Sequence, residues 1–479
     1  TFAGDYTIRL FDTLTIDKNL TIDGTGRAVT VSGDLNEDGQ GDMRVFTVQA
    51  GAAFTLNQMT VAHGRAANGG ALYNAGTTQI TNSTFFSNTA TTSGGGIYNT
   101  GTLTMTDSTL TDNASDFMGG GLTNLSNRVA LTGLVFSGNT AVLGGGMVNE
   151  SSSPTLTGVI FQGNDALDGG GLYNANGSHP TLTNVLLSGN SAGSGGGMSN
   201  LASSPTLINV TLSGNTAGWA GGGLYNVSAS NPQVQNSILW GNSAGEGAQI
   251  YDDGSAPVVT DSIVQGGYPG ATDADPLFVA VADLRLSPGS PAIDAGDTAV
   301  CPATDLRGEQ RDDLGCDLGA YEVRYADTDT VWRPVGATLT TFGPTLAGIR
   351  NDGGADDPGV VSVTKSFTWA TKPDNTIDAY WHITPGSGAN YNLTLQLCYL
   401  PAELNGLSEG DMRFWRYSSE EWAQVGPAPL TWTTINGNRC AAVSGVTGFS
   451  DWTLGVAGTP TAVSLSSFSA GSRVGWVGW

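Results

Sequence analysis

Between Gly69 and Asp252 one pattern recurs every 25 or 26 residues: a glycine block, an apolar residue, one further residue and Asn, then a leucine-rich stretch closing on a second Asn. The first Asn falls at Asn74, Asn99, Asn124, Asn149, Asn174, Asn200 and Asn226, with Asp252 taking the next turn. The second falls at Asn88, Asn113, Asn139, Asn164, Asn190, Asn215 and Asn242. A fixed period of this length marks a solenoid, in which each repeat is covered by its neighbours.

What fills the period decides which solenoid. The repeats are rich in Gly, Thr, Ser, Val and Asn and nearly devoid of Lys and Glu, which excludes helical repeats. Three apolar columns run in phase: Leu72, Ile97, Leu122, Met147, Leu172, Met198, Leu224 and Ile250; Ile80, Met105, Leu131, Leu156, Leu182, Leu207 and Val234; Phe85, Leu110, Phe136, Phe161, Leu187, Leu212 and Leu239. Three or four inward side chains per repeat, counting the small Ala90, Ala141 and Ala166 after the second Asn, predict coils of a parallel β-helix. Coils at the strand spacing of about 4.8 Å stack like on like, so ten of them make a rod of roughly 50 Å. Asn suits a corner because its amide bonds the Asn above and below and tolerates left-handed backbone. Both Asn columns are therefore expected to be structural ladders.

The period also sets domain boundaries. Residues 1–68 read as an N-terminal cap and first coils, 69–252 as the regular repeats, and 253–324 as the last coils and an end cap. From 325 to 457 the period gives way to alternating, Trp-rich segments such as AYWHITP and YNLTLQLCYL, which predict a β-sandwich. Residues 458–479 form a Pro-punctuated tail with one alternating strand at Val463, Leu465 and Phe468.

Charge and cysteines narrow the class. The chain has 18 Lys plus Arg against 42 Asp plus Glu, a net charge of −24, which disfavours nucleic acid and anionic membrane partners. No apolar run reaches membrane-spanning length. Thr1 opens directly into strand-like sequence, the expectation for a secreted product whose signal peptide has been removed. Cys301 with Cys316, and Cys398 with Cys440, are expected as two disulfides, because no Cys-x-x-Cys is present and the chain has only three His.

The motifs resemble known families. GGAL at Gly69–Leu72, with FFSN at Phe85–Asn88, FSGN at Phe136–Asn139 and FQGN at Phe161–Asn164, is similar to the paired motifs of polymorphic outer-membrane-protein repeats, which belong to adhesins. The segment from Asp273 to Glu322, with LRLSPGSPAIDAGD and CDLGAYE, resembles the end module of bacterial "choice-of-anchor" surface proteins. Leu110, Leu187, Leu212 and Leu239 depart from the first pattern, and most glycine blocks read GGG. The resemblance, over roughly residues 10–323, implies an extracellular bacterial surface protein with a right-handed parallel β-helix and transfers no catalytic residue.

Catalytic or metal chemistry would have to come from the residues that the ladders leave over. A polysaccharide lyase needs a basic side chain and a cation, yet residues 69–252 contain no Lys and a single Arg, Arg128. A glycoside hydrolase needs converging carboxylates; Asp112 and Asp116, with Asp165 and Asp168 two coils later, are the candidates. Asp34, Asn36, Asp38, Gly39 and Asp42 spell D-x-N-x-D-G-x-x-D, a calcium-loop pattern that lacks the closing Glu because Val45 stands there; the alternative is a plain acidic turn. Asn82, Asn113, Asn124, Asn209 and Asn392 match N-x-[ST] only as a by-product of composition. Trp219 and Trp240 near corners suit sugar stacking or a subunit contact, against packing under a loop.

The expected function is that of a non-catalytic extracellular structural protein. The tail strand or sandwich would pair with another copy by strand addition to build a homopolymeric fibre or surface layer. The alternatives are a monomeric surface-anchored adhesin for glycans, host ligands or cell-wall material, and a polysaccharide-degrading enzyme on the β-helix face.

Overall fold

The computed structural model describes residues 2–287, 290–311 and 315–323, and then the strands between 329 and 456 with parts of their connections. The predicted tail strand at Val463, Leu465 and Phe468 lies outside the described residues. The chain divides into two compact units, Thr1–Glu322 and Val323–Trp479.

The first unit is a parallel β-helix with three faces. The first face carries the strands that follow the glycine blocks, from Leu14–Ile16 to Ile250–Asp253, ten in all. The second also has ten, from Leu20–Asp23 to Val258–Thr260, and the third twelve, from Tyr6–Arg9 to Ala271–Thr272. Each strand pairs in parallel with its equivalent one coil on. Leu72, for example, pairs with Ile97, which pairs with Leu122, and Phe85 pairs with Leu110, which pairs with Phe136. A strand buried on one side alternates in and out, so the three apolar columns point inward into one continuous core. Leu72, Ile80 and Phe85 have no exposed surface, and the Phe136 and Phe161 rings stack at 4.8 Å. Each fully buried Leu or Phe contributes roughly 1.5–3 kcal/mol relative to exposure.

The turns explain the non-apolar letters of the repeat. The corner between second and third faces places Asn82, Asp107, Gly133, Gly158, Asn184, Asn209, Asn236 and Asp261 in left-handed backbone, with φ between 44° and 64°. Asn, Asp and Gly are the residues that adopt it at least cost. The glycine blocks answer a different need. A Cβ on Gly170 would stand 2.5 Å from the Ser191 carbonyl oxygen and 2.6 Å from that of Gly196, both in the next coil. Only a bare Cα lets the coils approach there.

After the last coil, residues 277–287 form an antiparallel hairpin, Phe278–Ala280 with Asp283–Leu286. The chain expected to close the end of the rod then runs back along its side. Asn236 Nδ2 donates to the Asp297 carbonyl (3.0 Å), Asn209 Nδ2 to that of Asp317 (2.8 Å) and Asn184 Nδ2 to that of Thr304 (2.5 Å). Three coils of the left-handed corner thus hold this strap by the side chains that set the turn. The Cys301–Cys316 disulfide closes it, and Arg311 pairs with Glu322 at 2.6 Å with both side chains fully buried. Arg311 Nη2 also donates to Asn184 Oδ1 (3.2 Å), tying the strap's only fully buried described ion pair to the corner.

The second unit is a sandwich of two antiparallel sheets, one of six and one of five strands. Val361, Val363, Trp381, Phe414, Trp452 and Leu454 of the first share one core with Ile349, Leu393, Leu395, Leu397 and Val443 of the second. Cys398 and Cys440 stand opposite each other on neighbouring strands and are bonded.

Candidate functional site

The two Asn columns form buried, hydrogen-bonded chains. In the first, each Nδ2 donates to the next Oδ1: Asn74 to Asn99 (2.7 Å), Asn99 to Asn124 (2.9 Å), Asn124 to Asn149 (3.3 Å), Asn149 to Asn174 (3.0 Å), Asn174 to Asn200 (2.9 Å) and Asn200 to Asn226 (2.8 Å). Asn226 donates to Asp252 Oδ1 at 2.9 Å. All the donors point the same way, so the amide dipoles add and their positive end meets a carboxylate. Tyr268 donates its hydroxyl to the other oxygen of Asp252 at 2.8 Å, and burial together with this bond raises its pKa. In the second column each Oδ1 accepts from both the backbone N–H and the Nδ2 of the Asn one coil earlier, as Asn164 does from Asn139 at 3.0 and 2.9 Å.

A third ladder escaped the sequence reading. Ser152, Ser178 and Ser203 each donate a backbone N–H to the hydroxyl of the next serine, Ser178, Ser203 and Ser230, at 3.0–3.2 Å. The in-phase serines were its signal, obscured by a background rich in Ser.

The sequence-predicted metal residues sit in a turn over the first coils. Asp34 Oδ1 and Oδ2 accept from the N–H groups of Glu37 (2.8 Å) and Gly39 (2.9 Å), and Asp42 Oδ2 from that of Leu35 (2.8 Å). Asn36 and Asp38 accept from Asp38 and Gln40 N–H at 3.0 and 2.8 Å. The side chains are engaged with the turn's own backbone, and among the described residues no three His, Cys, Asp or Glu groups converge as a metal site. These bonds order the loop and leave further lone pairs on the Asp34, Asp38 and Asp42 carboxylates.

That turn forms the ridge between two grooves. One, of about 460 Å³, is floored by Thr7, Thr30, Ser32 and Thr60 of the third face and walled by Arg9, Glu37, His63 and Phe86. Arg9 pairs with Glu37 at 3.4 Å, and the His63 ring meets Phe86 edge-on at 5.7 Å. The other, of about 300 Å³, lies between Gly39–Gly41 and the short strands carrying Arg65, Thr89–Thr91 and Ala114, with Asp116 in the bend that follows. Hydroxyls, one aromatic edge and offset charges of both signs line these polar concavities.

Of the carboxylates considered for hydrolysis, Asp116, Asp165 and Asp168 lie on one side of the coils. Asp112 stands at a corner with φ 53°, Asp116 lines the smaller groove, and Asp165 is exposed. Asp168 is half-buried, and burial raises its pKa against the lowering effect of a hydrogen bond from Ser194. Trp219 is 59% exposed, whereas Trp240 is half-buried. In the sandwich, His382 Nδ1 meets Asp451 Oδ1 at 2.5 Å and its Nε2 meets Thr384 Oγ1 at 3.1 Å, on the outer face of a sheet where the His side chain is 55% exposed.

Residues 144–272 match the family described as right handed beta helix region. No curated protein matches the chain significantly. The right hand implied by the family resemblance is thereby supported, and the parallel coils, three-faced cross-section and antiparallel sandwich define the fold.

Proposed function

We propose that this protein is a non-catalytic structural component of a bacterial cell surface: a rigid extracellular rod carrying a sandwich, which assembles with copies of itself into a fibre or layer. The observation that supports the reading is where the polar side chains of the coils go. Asn74 to Asn226 and Asn88 to Asn215 are fully buried and spend their amides on the neighbouring coil. Such chains stiffen a rod and leave few polar groups for chemistry. Two disulfides suit an oxidising compartment, and no described helix is long and apolar enough to cross a membrane.

Assembly is read from the ends. The hairpin after the last coil leaves Val279 half-exposed and Val281 fully exposed, apolar groups that a neighbouring subunit would cover. Light scattering and electron microscopy of the full chain, beside a version ending at residue 457, test this. Polymers from the full chain alone support assembly through the tail; a full chain that stays monomeric at high concentration refutes the fibre. The adhesin reading, a monomer that holds glycans, is favoured by a separate feature of the coil surface.

A further inference from the structure

One column of the repeat points outward and is apolar. In five successive coils the residue two before the glycine block is Phe117, Val142, Leu167, Gly193 and Trp219, with Thr92 and Gly245 in the coils that flank them. The backbone keeps them in register: the Phe117 carbonyl accepts from Leu143 N–H (2.8 Å), and that of Val142 from Leu167 N–H (2.9 Å). Phe117 is 48%, Leu167 61% and Trp219 59% exposed. A Cβ on Gly193 would lie 3.1 Å from Leu167 Cδ1, so the leucine lies over the glycine and fills its place in the row. The result is an apolar stripe parallel to the rod axis, with one step of about 4.8 Å per coil.

Its borders are specific. On one side the half-buried Met118, Leu143 and Leu201 pack over the buried Val148 and Tyr173. Further along, Trp219 tilts over Tyr225 at 6.1 Å, and Tyr225 stacks on Tyr251 at 5.3 Å. Carboxylates interrupt the stripe at Asp116, Asp165, Asp168 and Glu246. Its N-terminal end runs into the groove of about 300 Å³ that Asp116 lines.

We propose that this stripe binds a neutral, unbranched glycan chain laid along the rod axis. The ring faces of a sugar present C–H groups that pack on Trp219, Leu167 and Phe117, while its hydroxyls donate to the flanking carboxylates. Charge selects the occupant. Asp116, Asp165, Asp168 and Glu246 would meet like charge in an acidic polysaccharide, whereas a polyhydroxyl chain meets acceptors. The backbone beneath the stripe is paired coil to coil, which leaves side chains rather than a free strand edge to do the binding. Binding there does not depend on whether the rods polymerise.

The test is affinity electrophoresis of the full chain in gels containing laminarin, xylan or dextran, with polygalacturonate as the acidic comparator. Trp219→Ala, Leu167→Ser and Gln162→Ala variants run in parallel, and circular dichroism checks their fold. Retardation by at least one neutral glycan is expected, weakened roughly tenfold or more by W219A and by L167S and unchanged by Q162A. Absence of retardation by all three neutral glycans would overturn the proposal, as would W219A and L167S variants that bind like the parent. Sedimentation that shows a dimer abolished by W219A would likewise overturn it, assigning the stripe to a second copy.

Discussion

Replacing Asn164 by Ala measures what the inner ladder contributes. Asn164 has no exposed surface; its Nδ2 donates to Asn190 Oδ1 (2.9 Å) and the Phe136 carbonyl (3.0 Å), and its Oδ1 accepts two bonds from Asn139. The backbone N–H of residue 164 would still reach Asn190 Oδ1, as it does at 3.0 Å. Three buried groups then lose a partner: the Asn139 N–H, one Asn139 amide hydrogen and the Phe136 carbonyl. At about 1–3 kcal/mol for each unsatisfied buried group, less what an admitted water restores, the loss is roughly 3–5 kcal/mol. That is a large share of the about 5–15 kcal/mol that separates folded from unfolded domains. Urea titration followed by circular dichroism should show an earlier solenoid transition, and hydrogen exchange should localise the loss to the coils flanking residue 164, since each coil touches only its neighbours. Gln162→Ala, two residues away with an exposed side chain, should stay within about 0.5 kcal/mol. An N164A variant as stable as the Q162A control would refute the reasoning and leave Asn a role only in turn conformation.

Three further outcomes follow from the geometry. The hydrogen bond to Asp451 outweighs burial and raises the pKa of His382, so this pair adds stability below the unfolded value of about 6.5 and loses it as pH rises through the higher folded value; sandwich unfolding should come earlier as pH climbs, and a His382→Gln variant should show a flatter profile. Opening the Cys301–Cys316 loop, with a separation of 15 residues, by a double Ser variant should cost about 3 kcal/mol of strap stability, read as faster hydrogen exchange in residues 292–322 with the central coils unchanged. The carboxylates of residues 34–42 accept their own backbone amides and keep further lone pairs, so thermal melting with calcium and with a chelator decides the role of the turn: a higher melting temperature with calcium identifies a calcium loop, and coincident curves identify a plain acidic turn.

Most of the solenoid was legible because its sequence is redundant. A column such as Phe85, Leu110, Phe136 and Phe161 reports one inward position several times over, so chance substitutions do not hide it. The left-handed corner was less visible, since Asn, Asp and Gly alternate there and only the shared positive φ unites them. The end segment was harder still. Arg311, Asp317 and Glu322 read as ordinary surface charges in a polar stretch, yet Arg311 and Glu322 form a buried pair against the side of coils far away in sequence. The outward stripe was missed because Phe117, Leu167 and Trp219 share no letter, only a phase.

The sequence by itself determined the parallel β-helix, its register and its two asparagine ladders, because in a solenoid each contact joins residues one period apart and a local pattern is also the tertiary contact. Only the tertiary structure decided that the strap folds back along the left-handed corner, that the acidic turn divides two grooves, and that three unlike apolar residues align on the surface. Those outcomes depend on which non-repeating segment finds which face, and on which side chains the closed coil turns outward. No period in the chain encodes either.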